Sequence, residues 1–111
     1  GRPIGVVPAG ERWGVDMHTA AKTFGPLRPC VEDHLGAGAI VAALGDYGRL
    51  SAEARLAATA AKVTDIPEAL AECSSGRELA SAGHGNDVTL AARRDTSSTV
   101  PVLRNGILED L

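Results

Sequence analysis

Apolar positions fall along this chain in short groups whose spacing changes from one stretch to the next. The first group, PIGVVP over Pro3–Pro8, is rich in β-branched residues and bounded by Pro and Gly, which predicts a strand buried on both faces. Residues 9 to 28 show no period and predict a long loop, a kind of segment that in compact domains is functional or mobile. From Val31 the pattern turns helical. In VEDHLGAGAIVAAL, Val31, Leu35, Ile40 and Leu44 with alanines between them predict a helix buried over nearly all of its surface. Pro29 stands at the opening position proline favours, and Glu32 and Asp33 suit the positive end of the helix dipole. Gly36 and Gly38 each weaken a helix relative to alanine, so their presence predicts a backbone packed closely on a sheet. Gly45 or Gly48 ends the element.

Ser51 is a good N-cap for a second helix, AEARLAATAAKVTD, with Leu56, Ala60 and Val63 on one face. Asp65 with Pro67 and Glu68 opens a third. Ser75 and Glu78 have capping-box spacing for a fourth, SGRELASAG, and NDVTLAARRD forms a fifth that ends on Arg93 and Arg94. After TSST, the segment VPVLRNGIL predicts a second strand with a turn at Asn105 and Gly106. This inventory leaves strand edges without neighbours, so a strand-rich remainder is expected outside it. No internal repeat supplies a solenoid instead.

Composition narrows the picture. At 111 residues the chain is one domain at most, and its aromatic residues are Trp13, Phe24 and Tyr47 alone. Alanine dominates the apolar fraction, so the core must come from close approach of thin helices. A net charge of −3 with no basic stripe argues against a nucleic-acid surface. No apolar run approaches a membrane span and the first residues lack signal-peptide order, so a cytoplasmic, soluble protein is expected. Cys30 and Cys73 are far apart without CxxC spacing. They read as two free thiols, with a single bridge as the alternative. The GxSxG elbow, the P-loop and HExxH are all absent, which removes the common hydrolase and nucleotide templates.

Four stretches in order, PAGERW, LRPCVEDHLGAGAIVAAL, SSGRELASAGHGNDVTLAA and VPVL, resemble the second half of the 2-phosphosulfolactate phosphatase (ComB) family, over Ile4 to Leu103. The resemblance implies an α/β chain that forms part of a three-layer α/β/α sandwich, helix-rich and with few strands. It also implies a magnesium-dependent acid phosphatase that converts 2-phospho-3-sulfolactate to 3-sulfolactate in coenzyme M biosynthesis. The family's other signature, a strand followed by an Asp-hydrophobic-Arg turn rich in Ser and Thr, belongs to an N-terminal half that these residues do not include. Residues 1–111 are therefore expected to be the C-terminal part of the domain. Alone they should be inactive, with any side-chain nucleophile in the other half. Two departures from the family stand out: a long linker, GVDMHTAAKTFGP, between Trp13 and Leu27, and Cys30 where alanine is common.

Hydrolysis of a phosphate monoester needs neutralised equatorial oxygens, an activated nucleophile and help for the leaving oxygen. Mg2+ is held by one or two carboxylates plus substrate oxygens. Glu11 at a strand end, with Glu32 or Asp33 at a helix start, forms the expected metal set, and Glu11 and Asp33 are the expected catalytic pair. Arg12 and Arg28 would clamp the phosphate or sulfonate, because a guanidinium fork matches a tetrahedral oxyanion. Gly10 would let the backbone approach the ligand. Read without the resemblance, the same acids complement a helix dipole, and Glu11 with Arg12 is a solvated pair. Capping and a surface ion pair explain Arg77 and Glu78, with a reach of Arg77 to the anion site as the alternative. His18, His34 and His84 read as solvated or supporting groups, with His34 set apart by its neighbour Asp33, and Trp13 reads as a plug at the lip of core or site. The expected partners are a small phosphate ester and the N-terminal half, with a homodimer left open. The rival is a non-catalytic fragment or split subunit that completes a partner's sheet through Pro3–Pro8 and binds an anion.

Overall fold

A computed structural model describes residues 2–14, 25–45 and 49–111. Among them are five helices, α1 (Val31–Ala43), α2 (Ala52–Val63), α3 (Ile66–Glu72), α4 (Ser74–Ser81) and α5 (Gly85–Ala91). Two small antiparallel ribbons complete the mixed α/β chain: β1 (Glu11–Arg12) with β2 (Leu27–Arg28), and β3 (Pro101–Arg104) with β4 (Ile107–Asp110). His18, Gly48, Phe24, Tyr47 and most of the long linker lie outside the described residues.

The centre of the fold is the packing of α1 on α2. A Cβ on Gly38 would stand 2.1 Å from the Ala57 carbonyl oxygen and 3.0 Å from the Ala61 Cβ. Gly38 therefore meets a helix backbone, not the sheet expected from the sequence, and Gly36 meets nothing within 4 Å. The same close approach selects the face that α2 buries. Only small residues fit where two helix backbones nearly touch, so Ala57, Ala58 and Ala61 are buried. Leu56 and Val63, expected to face inward, are 68% and 78% exposed. On α1 the buried positions are Leu35, Gly38 and Val41, while Val31 and Ile40 stay in contact with solvent.

Caps set the helix boundaries. Pro29 stands one residue before the α1 N-cap, which is the extended Cys30, and so lies outside the helix it was expected to open. The Ser51 side chain accepts from the Ala54 amide and Asp65 from the Glu68 amide, each at 3.1 Å. Cys73 ends α3 and caps α4, its sulfur accepting from the Gly76 amide at 3.3 Å, which displaces Ser75 from the capping role its spacing suggested. The α3–α4 corner is tight enough that a Cβ on Gly76 would come within 1.8 Å of the Leu70 oxygen. The C-terminal ribbon turns through Asn105 (φ 50) and Gly106 (φ 81), the two left-handed residues that match hairpin twist.

Pro3–Pro8 corrects another expectation. The segment forms no strand, and Ile4 and Val7 are 66% and 86% exposed. A strand needs a neighbour for its backbone groups, and among the described residues none pairs with this segment. The three-layer sandwich is correspondingly not seen in the two small sheets. The accessible surface is 8968 Å2, against about 5,800 Å2 for a compact monomer of this mass. Among the described residues the apolar interior consists of Cys30, Leu35, Val41, Ala57, Ala58, Ala61 and Leu70.

Candidate active site

The PAGER turn and the start of α1 meet through backbone geometry. Gly10 has φ +67 and its amide donates to Asp33 Oδ2 at 3.0 Å. A Cβ there would come within 3.2 Å of the Arg28 carbonyl oxygen, so glycine serves both the left-handed turn and the close approach of β2. Beyond it, β1 pairs with β2 in the register Glu11 opposite Arg28 and Arg12 opposite Leu27. Successive strand side chains point to opposite faces. Glu11 and Arg28 therefore share one face, and Arg12 is turned away from both. The Arg12 Nη1 donates to the Gly25 carbonyl at 3.1 Å, beside the backbone hydrogen bonds that link Trp13 to Pro26 and Gly25.

Arg28 is the buried charge of this corner, 7% exposed. Its Nη1 donates to both Glu78 oxygens at 2.8 and 3.0 Å, and its Nη2 to Glu11 Oε2 and to Ser75 Oγ, the latter at 3.1 Å. The Trp13 ring lies 4.8 Å from the guanidinium carbon, a cation–π distance. The Glu78 hydrogen bond first, with the nearby Glu11 charge, holds the guanidinium pKa above its ordinary value against the opposing effect of burial. With the fork filled by protein groups, Arg28 does not stand free to clamp an anion as expected. Among the described residues, its buried Nε–H alone finds no partner. A buried ion pair is strongly destabilised when one member is removed, so Arg28 ties β2 to α4 and to β1.

One face of this hub carries a mixed donor cluster. One oxygen of Glu11, the Cys30 sulfur and one oxygen of Glu32 lie within 4.8 Å of one another. Asp33 is not a member of this cluster; its Oδ2 accepts from the Gly10 amide. Burial and the Glu32 charge push the Cys30 thiol pKa up. Burial also works to raise Glu32, but hydrogen bonds from Ser75, its own backbone, Cys73 and Cys30 outweigh it, and its pKa lies below the ordinary carboxylate value. The Cys73 sulfur stands 3.7 Å from Glu32 Oε2. Both cysteines are free thiols.

Other expected groups lie elsewhere. His34 lines a separate groove of about 760 Å3 between residues 2–8 and the α1–α2 pair, beside Arg2, Val41 and Arg49. His84 faces Asp87 across 3.8 Å at the exposed start of α5. Arg77 is exposed on α4. Ser75, Glu78 and Cys73 enter the corner in ways the capping reading of SSGREL did not foresee. Nothing in the spacing marks Ser75 and Glu78 as partners of Arg28, which lies 47 and 50 residues from them.

A family model described as 2-phosphosulpholactate phosphatase matches residues 5–106. The chain belongs to that family. The family's description implies a hydrolase that acts on a phosphate ester. No curated protein and no solved structure matches the chain. The matched span of this 2-phosphosulpholactate phosphatase family chain contains the Glu11–Cys30–Glu32 cluster, the Arg28 hub and the Gly10 turn. Among its described residues no helix is long and apolar enough to cross a membrane.

Proposed function

We propose that this chain carries the cation- and anion-binding corner of a magnesium-dependent phosphatase whose substrate is 2-phosphosulfolactate or a similarly small, doubly anionic phosphate ester. The observation that carries the reading is the convergence of the Glu11 and Glu32 carboxylates beside the start of α1, within the matched family span. Two carboxylates are a donor set of the size Mg2+ takes from a protein. When bound, the ion would supply charge neutralisation at the phosphate oxygens.

The chain's own groups have distinct tasks in this reading. Glu11 and Glu32 hold the ion, and Glu32 stays ionised in a half-buried place because Ser75 and both thiols support its charge. Arg28 fixes the Glu11 rotamer. Asp33 holds the Gly10 turn and so acts as a positioning residue in place of the catalytic role expected for it. The anion would meet the N-terminus of α1, where Cys30 supplies no side-chain cap and the helix dipole favours negative charge. Arg12, exposed and bonded among the described residues through Nη1, is the guanidinium this reading assigns to the phosphate or sulfonate.

The reading includes a three-layer α/β/α domain of which these residues form the C-terminal part, with the nucleophile supplied by a strand-rich portion. The exposed Ile4, Val7, Leu56 and Val63 support it as surface that such a portion would cover. The same unpaired Pro3–Pro8 segment favours a second reading, a non-catalytic subunit that adds a strand to a partner. Phosphate release from 2-phosphosulfolactate, measured with Mg2+ and with chelator on the native polypeptide carrying these residues, separates the two. Glu11→Gln and Glu32→Gln should each lower Mg2+-dependent turnover by at least about 100-fold, in line with loss of a charge-stabilising group. The 111-residue chain alone should stay at background. Unchanged turnover in both variants would overturn the assignment.

A further inference from the structure

The Glu11–Cys30–Glu32 cluster contains one donor that a magnesium centre does not use. Mg2+ is a hard ion that takes oxygen, whereas thiolate sulfur selects Zn2+ and other soft ions. The three donor atoms lie within 4.8 Å of one another. In a tetrahedral zinc site with Zn–S near 2.3 Å and Zn–O near 2.0–2.2 Å, sulfur and oxygen ligands stand about 3.6 Å apart. The gap between these figures is a side-chain adjustment of at most about 1.2 Å.

A second observation concerns the guanidinium bonded to Glu11. Arg28 is buried and, among the described residues, its Nε–H has no acceptor. Buried donors are nearly always paired. Glu11 gives Oε2 to this guanidinium, which leaves its other oxygen for an ion.

We propose that Glu11, Cys30 and Glu32 form a three-ligand site for Zn2+ that competes with Mg2+ for the same corner. The proposal rests on the reading of this corner as a cation site and adds the identity of the ion that binds it most tightly. Three protein ligands and one open position are the pattern of a zinc centre that takes a water or a substrate oxygen as its fourth ligand. Such a fourth ligand is the kind of acceptor that Arg28 Nε lacks. On binding, the Cys30 S–H bond breaks, the sulfur lone pair goes to the metal and the proton leaves to solvent, so charge and atoms balance without any redox step. Cys73 is outside the three. Its sulfur is held by the Gly76 amide and the Leu70 carbonyl and it contacts Glu32 from the side.

The test uses the native polypeptide carrying these residues, with Co2+ as the spectroscopic stand-in and Zn2+ as the competitor. Co2+ should produce a thiolate-to-metal charge-transfer band in the near ultraviolet, and one equivalent of Zn2+ should abolish it. Cys30→Ala should lose the band and weaken Zn2+ binding by at least about 100-fold, more than the loss of an outer-shell partner brings. Cys30→Ser keeps the side-chain size and offers oxygen, so it should bind Co2+ without the band even if Cys30→Ala unfolds. Cys73→Ser retains an N-cap residue for α4 and should keep the band. A native chain without the band, or a band that survives in Cys30→Ala, overturns the proposal. Loss of the band in Cys73→Ser overturns the three-ligand assignment. Because none of these readouts involves turnover, a missing band with Mg2+-dependent activity defeats this inference alone, and a band without activity defeats only the phosphatase reading.

Discussion

Two glycines separated by a single alanine in the helix pattern offer a sharp test of how α1 packs. Gly36→Ala and Gly38→Ala are the same chemical change in the same helix, two positions apart. In an open helix position the change stabilises by about 0.8–1.0 kcal/mol, because alanine loses less backbone freedom on folding. At Gly36 a Cβ meets nothing within 4 Å, so this gain should appear nearly whole. At Gly38 the added Cβ would sit 2.1 Å from the Ala57 oxygen and 2.6 Å from the Ala57 carbonyl carbon. Those atoms are backbone, so the only relief is separation of α1 from α2 by on the order of 1 Å, which loosens contacts along the whole pair. Overpacking of this kind costs about 1–3 kcal/mol, and the upper part of that range applies where backbone must move. The net effect at Gly38 is a loss of about 1–2 kcal/mol after the propensity gain. The assay is urea unfolding followed by the helical circular dichroism signal. The midpoint should rise for Gly36→Ala and fall for Gly38→Ala, with thermal midpoints separated by several degrees. A Gly38 variant as stable as the Gly36 variant would refute the close helix–helix contact and the account of why α2 buries alanines.

Three further outcomes follow from the Arg28 corner. Glu78→Gln should destabilise the chain by about 1–2 kcal/mol in urea unfolding, because the buried guanidinium is left with Glu11 as its one carboxylate; Glu78 is itself solvent-exposed, which keeps the figure below that of a fully buried pair. Glu32 has a folded pKa below its unfolded value, so its contribution is present above the ordinary glutamate value of about 4.3 and is lost as pH falls through the folded one. Glu32→Gln should therefore flatten part of the acid limb of a stability–pH curve, and an unchanged limb would refute the assignment. Cys30 has a folded pKa above its unfolded value, so its contribution is present below about 8.5 and declines as pH rises through the folded pKa. With a thiol reagent at neutral pH, Cys73 should react first and Cys30 only as the chain unfolds, and equal rates would contradict the burial of Cys30.

Helix existence was legible wherever a cap and a period coincide. Ser51 and Asp65 begin α2 and α3 as their side chains predict, and Asn105–Gly106 makes the hairpin turn. The errors share one cause, which is that periodicity identifies an apolar stripe without saying what faces it. Leu56, Ala60 and Val63 form a true stripe on α2, yet the contact with α1 goes to the alanines, since Gly38 sets a spacing that leucine cannot enter. PIGVVP has strand composition, but a strand is a pairing, and the described residues supply no partner for it.

The site shows the same limit at the scale of single residues. Glu11 and Arg12 are adjacent in PAGER, and adjacency suggested that both serve one ligand. The two-residue strand sends them to opposite faces, so Glu11 pairs with Arg28 and Arg12 turns to the Gly25 carbonyl. Likewise Glu32 and Asp33 looked interchangeable as acids at a helix start. A helix turns about 100° per residue, and that rotation puts Glu32 beside Glu11 and Cys30 while Asp33 meets the Gly10 amide. Residue types were thus readable from the sequence, and their division of labour required the backbone. Cys30 is the clearest instance: in LRPC it stood as a departure from the common alanine, and only its place within 4.8 Å of two carboxylate oxygens gives its sulfur a chemical role to test.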